Sequence, residues 1–272
     1  MPELPEVETV ARQLNQQIRG KKVLWLKAYD PRLKLPKHIK LTNSKVEKVF
    51  RMGKQIIVSF QGAPKKFSHL AIHLRMSGNL ISLTDSARSK TETPVHHIRS
   101  DLKLSKGCVC FVDPRRFGTM VFSDKLERFV PKGVEPFSDE FTIDKIQELI
   151  AKTSTPIKPW LLKQEKIVGI GNIYASEILY RCKLSPLKPA GKLKLAELKA
   201  LHSSIVYILD KAIENCGTTF SDFQDAYGVT GSYQSFLKVY DREGEKCRRC
   251  KSKIEKIVQA QRSTYYCPTC QK

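Results

Sequence analysis

Cys247-Arg248-Arg249-Cys250, followed after sixteen residues by Cys267-Pro268-Thr269-Cys270, decides how the C-terminal end of this chain folds. Two Cys-x2-Cys pairs at this separation have the spacing of a zinc ribbon, in which four thiolates close a tetrahedron around one ion. Between the pairs, Lys251 to Val258 and Ser263 to Tyr266 read as two short strands around a turn at Gln259 to Arg262. Four protein thiolates leave no open coordination position, so this zinc is expected to be structural and unable to activate water. Cys108, Cys110, Cys182 and Cys216 lack such spacing and read as small, inert hydrophobic residues.

Upstream of the ribbon the chain is helical by periodicity, over Ile143 to Ala151, Pro159 to Gln164, Ala175 to Cys182 and Leu195 to Asn215, the last closing at Gly217. Before Pro131-Lys132-Gly133 the pattern is different. Strand-like runs cover Lys22 to Ala28, Val46 to Phe50, Gln55 to Phe60, Phe67 to Leu74, Leu80 to Leu83, Leu102 to Leu104, Val109 to Val112 and Thr119 to Phe122. Short strands joined by polar turns point to a β-sandwich. Ahead of them, Val7, Val10, Ala11, Leu14 and Ile18 recur at helical spacing, so about Glu3 to Arg19 forms one amphipathic helix ending at Gly20. The class is therefore α+β, with a linker near Lys132 to Asp139. The expected domains are 2–132, 133–237 and 238–272.

A chain of 272 residues, 41% of them hydrophobic, has enough material for more than one core. Its formal charge of +21 is the unusual property. Such a surplus neutralises phosphates and releases their counterions, which puts nucleic acid first among partners and an anionic membrane surface second. The sequence has no apolar run of transmembrane length and no signal-peptide pattern, so the expected location is the cytosol, where thiols stay reduced.

The N-terminal segment Met1-Pro2-Glu3-Leu4-Pro5-Glu6 combines chemistry with helix initiation. Removal of Met1 would leave Pro2 with a free secondary amine, able to attack an aldehyde-like carbon and form an iminium that acts as an electron sink. Retention of Met1 would make that nitrogen an amide and abolish the nucleophile. Glu3 and Glu6, three residues apart at a helix start, share a face and are favoured there as anions; one of them could shuttle protons. The same residues also suit a plain helix start, with Pro5 in the first turn. The segment does not decide between the two alone.

Three loops add to this. Val168-Gly169-Ile170-Gly171-Asn172 precedes a helix, and the helix N-terminus with the Asn172 amide suits a phosphate. Asp113-Pro114-Arg115-Arg116-Phe117-Gly118 pairs cationic forks with an aromatic wedge, while His73-Leu74-Arg75-Met76-Ser77-Gly78 offers an unbranched apolar finger; both are equipped to enter a base stack. Lys54, in Arg51-Met52-Gly53-Lys54, is ambiguous in the same way, since most lysines are solvated surface residues.

Together these segments resemble the formamidopyrimidine-DNA glycosylase family from end to end. The Pro-Glu-Leu-Pro-Glu N-terminus, the Gly-Lys of Lys54, the His-Leu-Arg-Met of Met76, the Asp-Pro-Arg-Arg-Phe-Gly loop, the Gly-Asn-Ile-Tyr turn and the four-cysteine ribbon stand in the family's order. The resemblance implies an N-terminal β-sandwich flanked by the N-terminal helix, a helix–two-turn–helix domain containing Asn172 and a C-terminal zinc finger, with DNA in the cleft between. It implies a bifunctional DNA glycosylase and AP lyase of base excision repair. Such an enzyme excises 8-oxoguanine and formamidopyrimidines through an N-terminal proline Schiff base, followed by β,δ-elimination.

Carried over by position, Pro2 is the nucleophile at C1′, Glu3 the proton donor in ring opening and Glu6 the acid that orders the site. Lys54 and Arg262 serve the first and second eliminations. His96, Arg115, Lys158 and Asn172 match DNA-contacting positions, and Met76, Arg115 and Phe117 match the residues that fill the gap left by an everted base, since C1′ is otherwise hidden in the stack. Cys247, Cys250, Cys267 and Cys270 hold one structural Zn2+. The partner is damaged double-stranded DNA bound by a monomer, in the bacterial cytoplasm at the nucleoid. Gln261 and Asp241 stand where glycine is usual. Two alternatives remain at this stage: an endonuclease VIII-like glycosylase for oxidised pyrimidines, and a non-catalytic zinc-ribbon DNA-binding protein.

Overall fold

The computed structural model describes residues 2–89, 97–219 and 224–272. The chain forms two compact units, Met1–Val130 with Asn215–Ser232, and Pro131–Glu214 with Tyr233–Lys272.

In the first unit, α1 (Leu4–Ile18) buries Leu4, Val7, Val10, Ala11, Leu14 and Ile18, the stripe expected from the 3.6-residue period. A reciprocal capping box starts the helix: the Glu3 side chain accepts the Glu6 N–H, and Glu6 accepts the Glu3 N–H. The helix packs on the sheet, and its Asn15 Oδ1 accepts the Val49 N–H at 2.8 Å. The strands are β1 (Lys22–Ala28), β2 (His38–Met52), β3 (Gln55–Gln61), β4 (His69–His73), β5 (Asn79–Leu83), β6 (Ile98–Leu104), β7 (Cys108–Val112) and β8 (Thr119–Ser123). A short helix, α2 (Asp85–Ser89), follows β5.

All eight strands join one antiparallel sheet in the order β5-β7-β6-β1-β2-β3-β4-β8. Five steps separate β6 from β8, about 24 Å in a flat sheet. Yet Ser100 Oγ of β6 lies 3.1 Å from Met120 Sδ of β8. The sheet therefore folds back on itself, and one apolar cluster draws Leu102, Phe111 and Leu80 from one end together with Leu70, Val58 and Met120 from the other. The expected sandwich is present as two halves of a continuous sheet. Bulges in β1 and β2, between Val23 and Trp25 and between Val46 and Lys48, lie along the turn-over.

Of the range 133–237 expected to form one helical domain, Asn215–Ser232 packs with the first unit. Gln13 of α1 grips it, donating to Asp225 Oδ2 at 2.9 Å and accepting the Ala226 N–H at 3.0 Å, while Asn79 Oδ1 accepts the Gln224 N–H.

The second unit contains α3 (Ile143–Ile150), α4 (Ile157–Leu161), α5 (Asn172–Arg181), α6 (Leu195–Glu214) and the hairpin β9 (Glu255–Gln259) to β10 (Arg262–Tyr266). Residues Ile173 to Tyr180 of α5 are all buried, which makes it the central helix. It begins three residues before the expected Ala175. The Glu177 carboxylate at its heart accepts the N–H groups of Lys238, Val239 and Tyr240 at 2.9 Å each in its closest bonds, fixing the chain that enters the finger. No helix among the described residues is long and apolar enough to cross a membrane.

Candidate active site, nucleic-acid interface and metal centre

Pro2 is buried at the mouth of α1. Beside it, Glu3 is 2% exposed and Glu6 1%. One Glu6 oxygen accepts the Glu3 N–H at 2.8 Å and the other accepts the Thr218 N–H at 2.8 Å. Charge-assisted bonds of this kind fix the carboxylate and stabilise it as an anion. Gly217 has φ +76°, and a Cβ there would lie 2.7 Å from Glu6 Oε1, so only glycine lets the chain pass this group. Lys54 is buried in the two-residue turn between β2 and β3, whose Gly53 has φ 58°. Arg51 braces that turn by donating to Gly53 O at 3.0 Å and to Glu8 Oε2 at 2.8 Å.

The two predicted wedge loops are tied together through Asp113. Its Oδ1 accepts Ser77 Oγ–H at 2.6 Å and its Oδ2 accepts the Gly118 N–H at 2.7 Å. A Cβ at Gly118 would strike Phe111 at 2.3 Å, so the loop closes only with glycine at this position. Arg116 is committed to the protein, its guanidinium forking onto Asp30 at 2.7 and 2.5 Å. Those bonds, foremost among the causes, hold the Asp30 carboxyl down at about 2. Arg115, in contrast, is exposed, with its guanidinium 5.2 Å from the Phe117 ring. Phe117 is 50% exposed and Met76 36%. Two large apolar side chains are thus held outward on loops braced by one buried carboxylate, an exposure that soluble proteins reserve for surfaces that bind.

In the second unit, Lys158 and Asn172 turn inward. Lys158 is fully buried; its Nζ donates to Asn172 Oδ1 at 2.6 Å, Ser263 O at 2.7 Å and Thr264 Oγ1 at 2.8 Å. Asn172 Nδ2 donates to Ser263 O at 3.0 Å. Both side chains thus clamp β10 next to Arg262, which is exposed at the start of that strand. The hairpin turn Ala260-Gln261 has positive φ at both residues, 46° and 58°, as a type I′ turn demands. Asp241, φ 58°, also occupies the left-handed region and accepts Tyr265 Oη–H at 3.3 Å.

The sulfurs of Cys247, Cys250, Cys267 and Cys270 lie within 4.8 Å of one another. Cys247 and Cys270 are 3.9 Å apart and Cys250 and Cys267 3.4 Å. A tetrahedron of about 2.3 Å zinc–sulfur bonds has edges of about 3.8 Å, so the residues fit one zinc with no open position. Tyr180 Oη sits 3.3 Å from Cys247 Sγ, and the Arg249 guanidinium covers the Tyr180 ring at 4.4 Å, which orients the ligand from outside.

Three family models tile the chain: the formamidopyrimidine-DNA glycosylase N-terminal domain over residues 1–120, the formamidopyrimidine-DNA glycosylase H2TH domain over 132–224, and a zinc finger found in FPG and IleRS over 244–272. A formamidopyrimidine-DNA glycosylase from Chloroflexus aurantiacus is 39% identical over 280 residues, covering 100% of this chain and 98% of the relative. The chain belongs to the formamidopyrimidine-DNA glycosylase family.

Solved structures agree with this placement. Lactococcus lactis Fpg in complex with DNA containing an abasic site superposes with a TM-score of 0.86 at 36% identity, covering 99% of each chain. A MutM in complex with DNA containing carbocyclic 8-oxo-G gives 0.85 at 35%, covering 100% of each. In keeping with the glycosylase family's zinc finger, this chain carries one structural zinc on its four cysteines.

Within the first unit the structure gathers Pro2, Glu3 and Glu6, and joins Met76 to Arg115 and Phe117. Within the second it gathers Lys158, Asn172 and the base of Arg262. His96 lies outside the described residues. Sequence reasoning missed the positioning groups of this glycosylase: Ser77, Asp113, Arg99 and Gln164. Arg99 Nε donates to Asp113 O at 2.6 Å, and Gln164 holds the Gly169 N–H and Ile170 O of the turn before Asn172. Their partners are distant or lie in loops, where no periodicity could expose them.

Proposed function

We propose that this chain is a bifunctional DNA glycosylase and AP lyase of base excision repair that excises 8-oxoguanine and formamidopyrimidines from duplex DNA. The observation that carries the reading is the buried Pro2 beside the buried carboxylates Glu3 and Glu6, the second fixed by two backbone N–H groups. Once Met1 is removed, the Pro2 amine attacks C1′ and the base departs. Glu3 donates the proton that opens the sugar ring, and Glu6 orders the turn. The resulting iminium carries a fixed positive charge that acidifies the adjacent carbon, so the strand breaks by elimination on both sides of the lesion, with Lys54 and Arg262 in attendance. Met76, Arg115 and Phe117 fill the emptied stack while the nucleotide is everted.

Lys158 and Asn172 serve DNA indirectly in this reading, by seating β10 so that Arg262 faces phosphate; His96 and Arg115 act as direct DNA contacts. The charge of +21 supplies the non-specific attraction to a duplex. The protein works as a monomer on damaged DNA in the bacterial cytoplasm. The substrate class rests on the relatives, among them a formamidopyrimidine-DNA glycosylase and a MutM solved in complex with DNA containing carbocyclic 8-oxo-G.

Borohydride reduction on an abasic duplex is the test. Protein lacking Met1 should be trapped covalently, with Pro2 as the modified residue; a Pro2→Gly variant keeps an amine and can also be trapped. Full trapping by a chain that retains Met1 would sink the proposal. Absence of trapping altogether would favour a non-catalytic DNA-binding protein. Parallel excision assays on 8-oxoguanine and thymine glycol duplexes separate the purine specificity from an endonuclease VIII-like one.

A further inference from the structure

The Asp113 to Gly118 loop carries two adjacent arginines, and their environments are opposite. Arg115 is exposed, with its guanidinium resting 5.2 Å from the Phe117 ring. Arg116 has φ 61°, in the left-handed region that residues with a Cβ rarely enter, and its guanidinium forks onto Asp30, 86 residues earlier in the chain. Each oxygen of Asp30 faces two donors. Oδ1 accepts the Arg116 Nη2–H at 2.5 Å and the Arg32 N–H at 3.0 Å; Oδ2 accepts the Arg116 Nε–H at 2.7 Å and lies 3.6 Å from Arg99 Nε. Arg99 in turn donates to Asp113 O at 2.6 Å and to Pro114 O at 3.3 Å. One carboxylate therefore brackets Arg115: through Arg99 it holds the backbone before this residue, and directly it holds the side chain after it.

An exposed ion pair is screened by water and holds little. This one is not of that kind, because the Asp30 side chain is 3% exposed and the pairing is bidentate, the geometry in which arginine and carboxylate bind most firmly. Withholding an arginine has a chemical purpose. A guanidinium placed against a base edge reads its donors and acceptors, whereas the same group released beside a duplex is drawn to any phosphate. Two unrestrained forks at one gap would compete. The second would give a wrongly paired duplex a favourable contact that the first denies it, and specificity is the difference between those two affinities.

We propose that Asp30 is a positioning residue for specificity: by sequestering Arg116 it leaves Arg115 to read the base opposite the lesion. This rests on the gap-filling role proposed above for Arg115. Loss of Asp30 should relax discrimination between opposite bases without abolishing the chemistry at Pro2.

The test compares the natural full chain with Asp30→Asn and with Asp30→Asn/Arg116→Gln. Phenylglyoxal, which attacks guanidinium groups outside ion pairs, should modify Arg115 and spare Arg116 in the natural chain, and modify both in Asp30→Asn, the sites being located by tandem mass spectrometry. Single-turnover excision of 8-oxoguanine opposite cytosine and opposite adenine gives the discrimination ratio. Asp30→Asn should lower that ratio about tenfold, within the range that one bidentate base contact supplies. The double variant should restore it, because the competing fork is gone. A bracket that only stiffens the loop predicts a double variant as poor as the single one. That result would overturn the proposal, as would an unchanged ratio in Asp30→Asn or equal modification of both arginines in the natural chain. Should Asp30→Asn fail to fold by circular dichroism, Asp30→Glu decides, since it keeps the charge and displaces the fork: a lowered ratio supports the role and the natural ratio refutes it. Absence of excision by the natural chain would remove the glycosylase reading and this role with it, and the phenylglyoxal pattern, which needs no substrate, separates that case from failure of the Asp30 bracket alone.

Discussion

Ser77 Oγ donates to Asp113 Oδ1 at 2.6 Å, and through this one buried bond the loop carrying Met76 is tied to the loop carrying Arg115 and Phe117. The second Asp113 oxygen holds the Gly118 N–H at 2.7 Å, so a single carboxylate sets the spacing of the two loops. Hydrogen bonds to a charged group are each worth about 1.5–3 kcal/mol, and a stranded partner costs its desolvation. Asp113→Ala should therefore lower unfolding free energy by about 2–4 kcal/mol, read from urea titration. Ser77→Ala should cost less, because its loss leaves the Gly118 bond in place. Both variants should lose excision of 8-oxoguanine more than their residual folding explains.

Removal of the finger metal should have a local effect. Cys250→Ser leaves three thiolates, and because metal binding here is folding free energy, the finger should release zinc and unravel. Glu177 anchors the entering chain from outside the finger, so the helical unit should persist. Elemental analysis should give less than one zinc per chain, damage-specific binding should disappear, and a chelator should reproduce both results. Retained zinc with unchanged lesion affinity would contradict the assignment.

The finger hairpin contains a correctable strain. Gln261 has φ 58° and Ala260 φ 46°, conformations that cost a residue with a Cβ about 1–2 kcal/mol each and cost glycine nothing. Gln261→Gly should stabilise the hairpin by about 1 kcal/mol, seen as slower amide exchange in β9 and β10. It should leave zinc content unchanged. Slower exchange without any change in phosphate affinity would show that the natural glutamine costs stability alone.

Much of this was legible in sequence, for physical reasons that differ by element. α1 and α6 bury one face each, so the apolar period reveals them; α5 is buried all round, so Asn172, Ile173 and Tyr174 carried no amphipathic signal and the helix start was misplaced. β2 runs from His38 to Met52, but its bulge and its exposed lysines broke the alternation, and only Val46 to Phe50 was recognisable. Four cysteines at ribbon spacing announce their chemistry because metal geometry fixes local spacing. The inward turn of Lys158 was hidden, since its acceptors Ser263 and Thr264 lie a hundred residues away in sequence.

His73 makes stability depend on pH in a definable window. Burial, followed by the nearby charges of Arg75 and Lys54, pushes its pKa from 6.5 down to about 4. Between those values the unfolded chain binds the proton and the folded chain does not, so stability present above pH 6.5 is lost as pH falls toward 4. Protonation would also cost the bond that His73 Nδ1 accepts from the Arg75 N–H at 3.0 Å. Urea midpoints measured from pH 7 to 4 should fall more steeply for the natural chain than for His73→Gln; parallel slopes would assign the acid sensitivity elsewhere.

Arg115 and Phe117 should separate recognition from chemistry. Arg115 is exposed while its neighbour Arg116 is locked to Asp30, so only the former is available to the orphaned base. If the wedge holds the duplex open, its loss raises the cost of unstacking by about a few kcal/mol before any bond is made. Arg115→Ala removes a charge and a bidentate fork, whereas Phe117→Ala removes mainly stacking, so the arginine change should be the more damaging. Neither touches Pro2, Glu3 or Glu6. Arg115→Ala should then excise 8-oxoguanine from duplex DNA poorly, yet cleave a pre-formed abasic site at a substantial rate, because there little base must be expelled. Single-turnover rates on matched duplexes decide the matter. Equal losses on the two substrates would mean that the Asp113 to Gly118 loop supports the fold or the lyase centre, and that the wedge assignment is wrong.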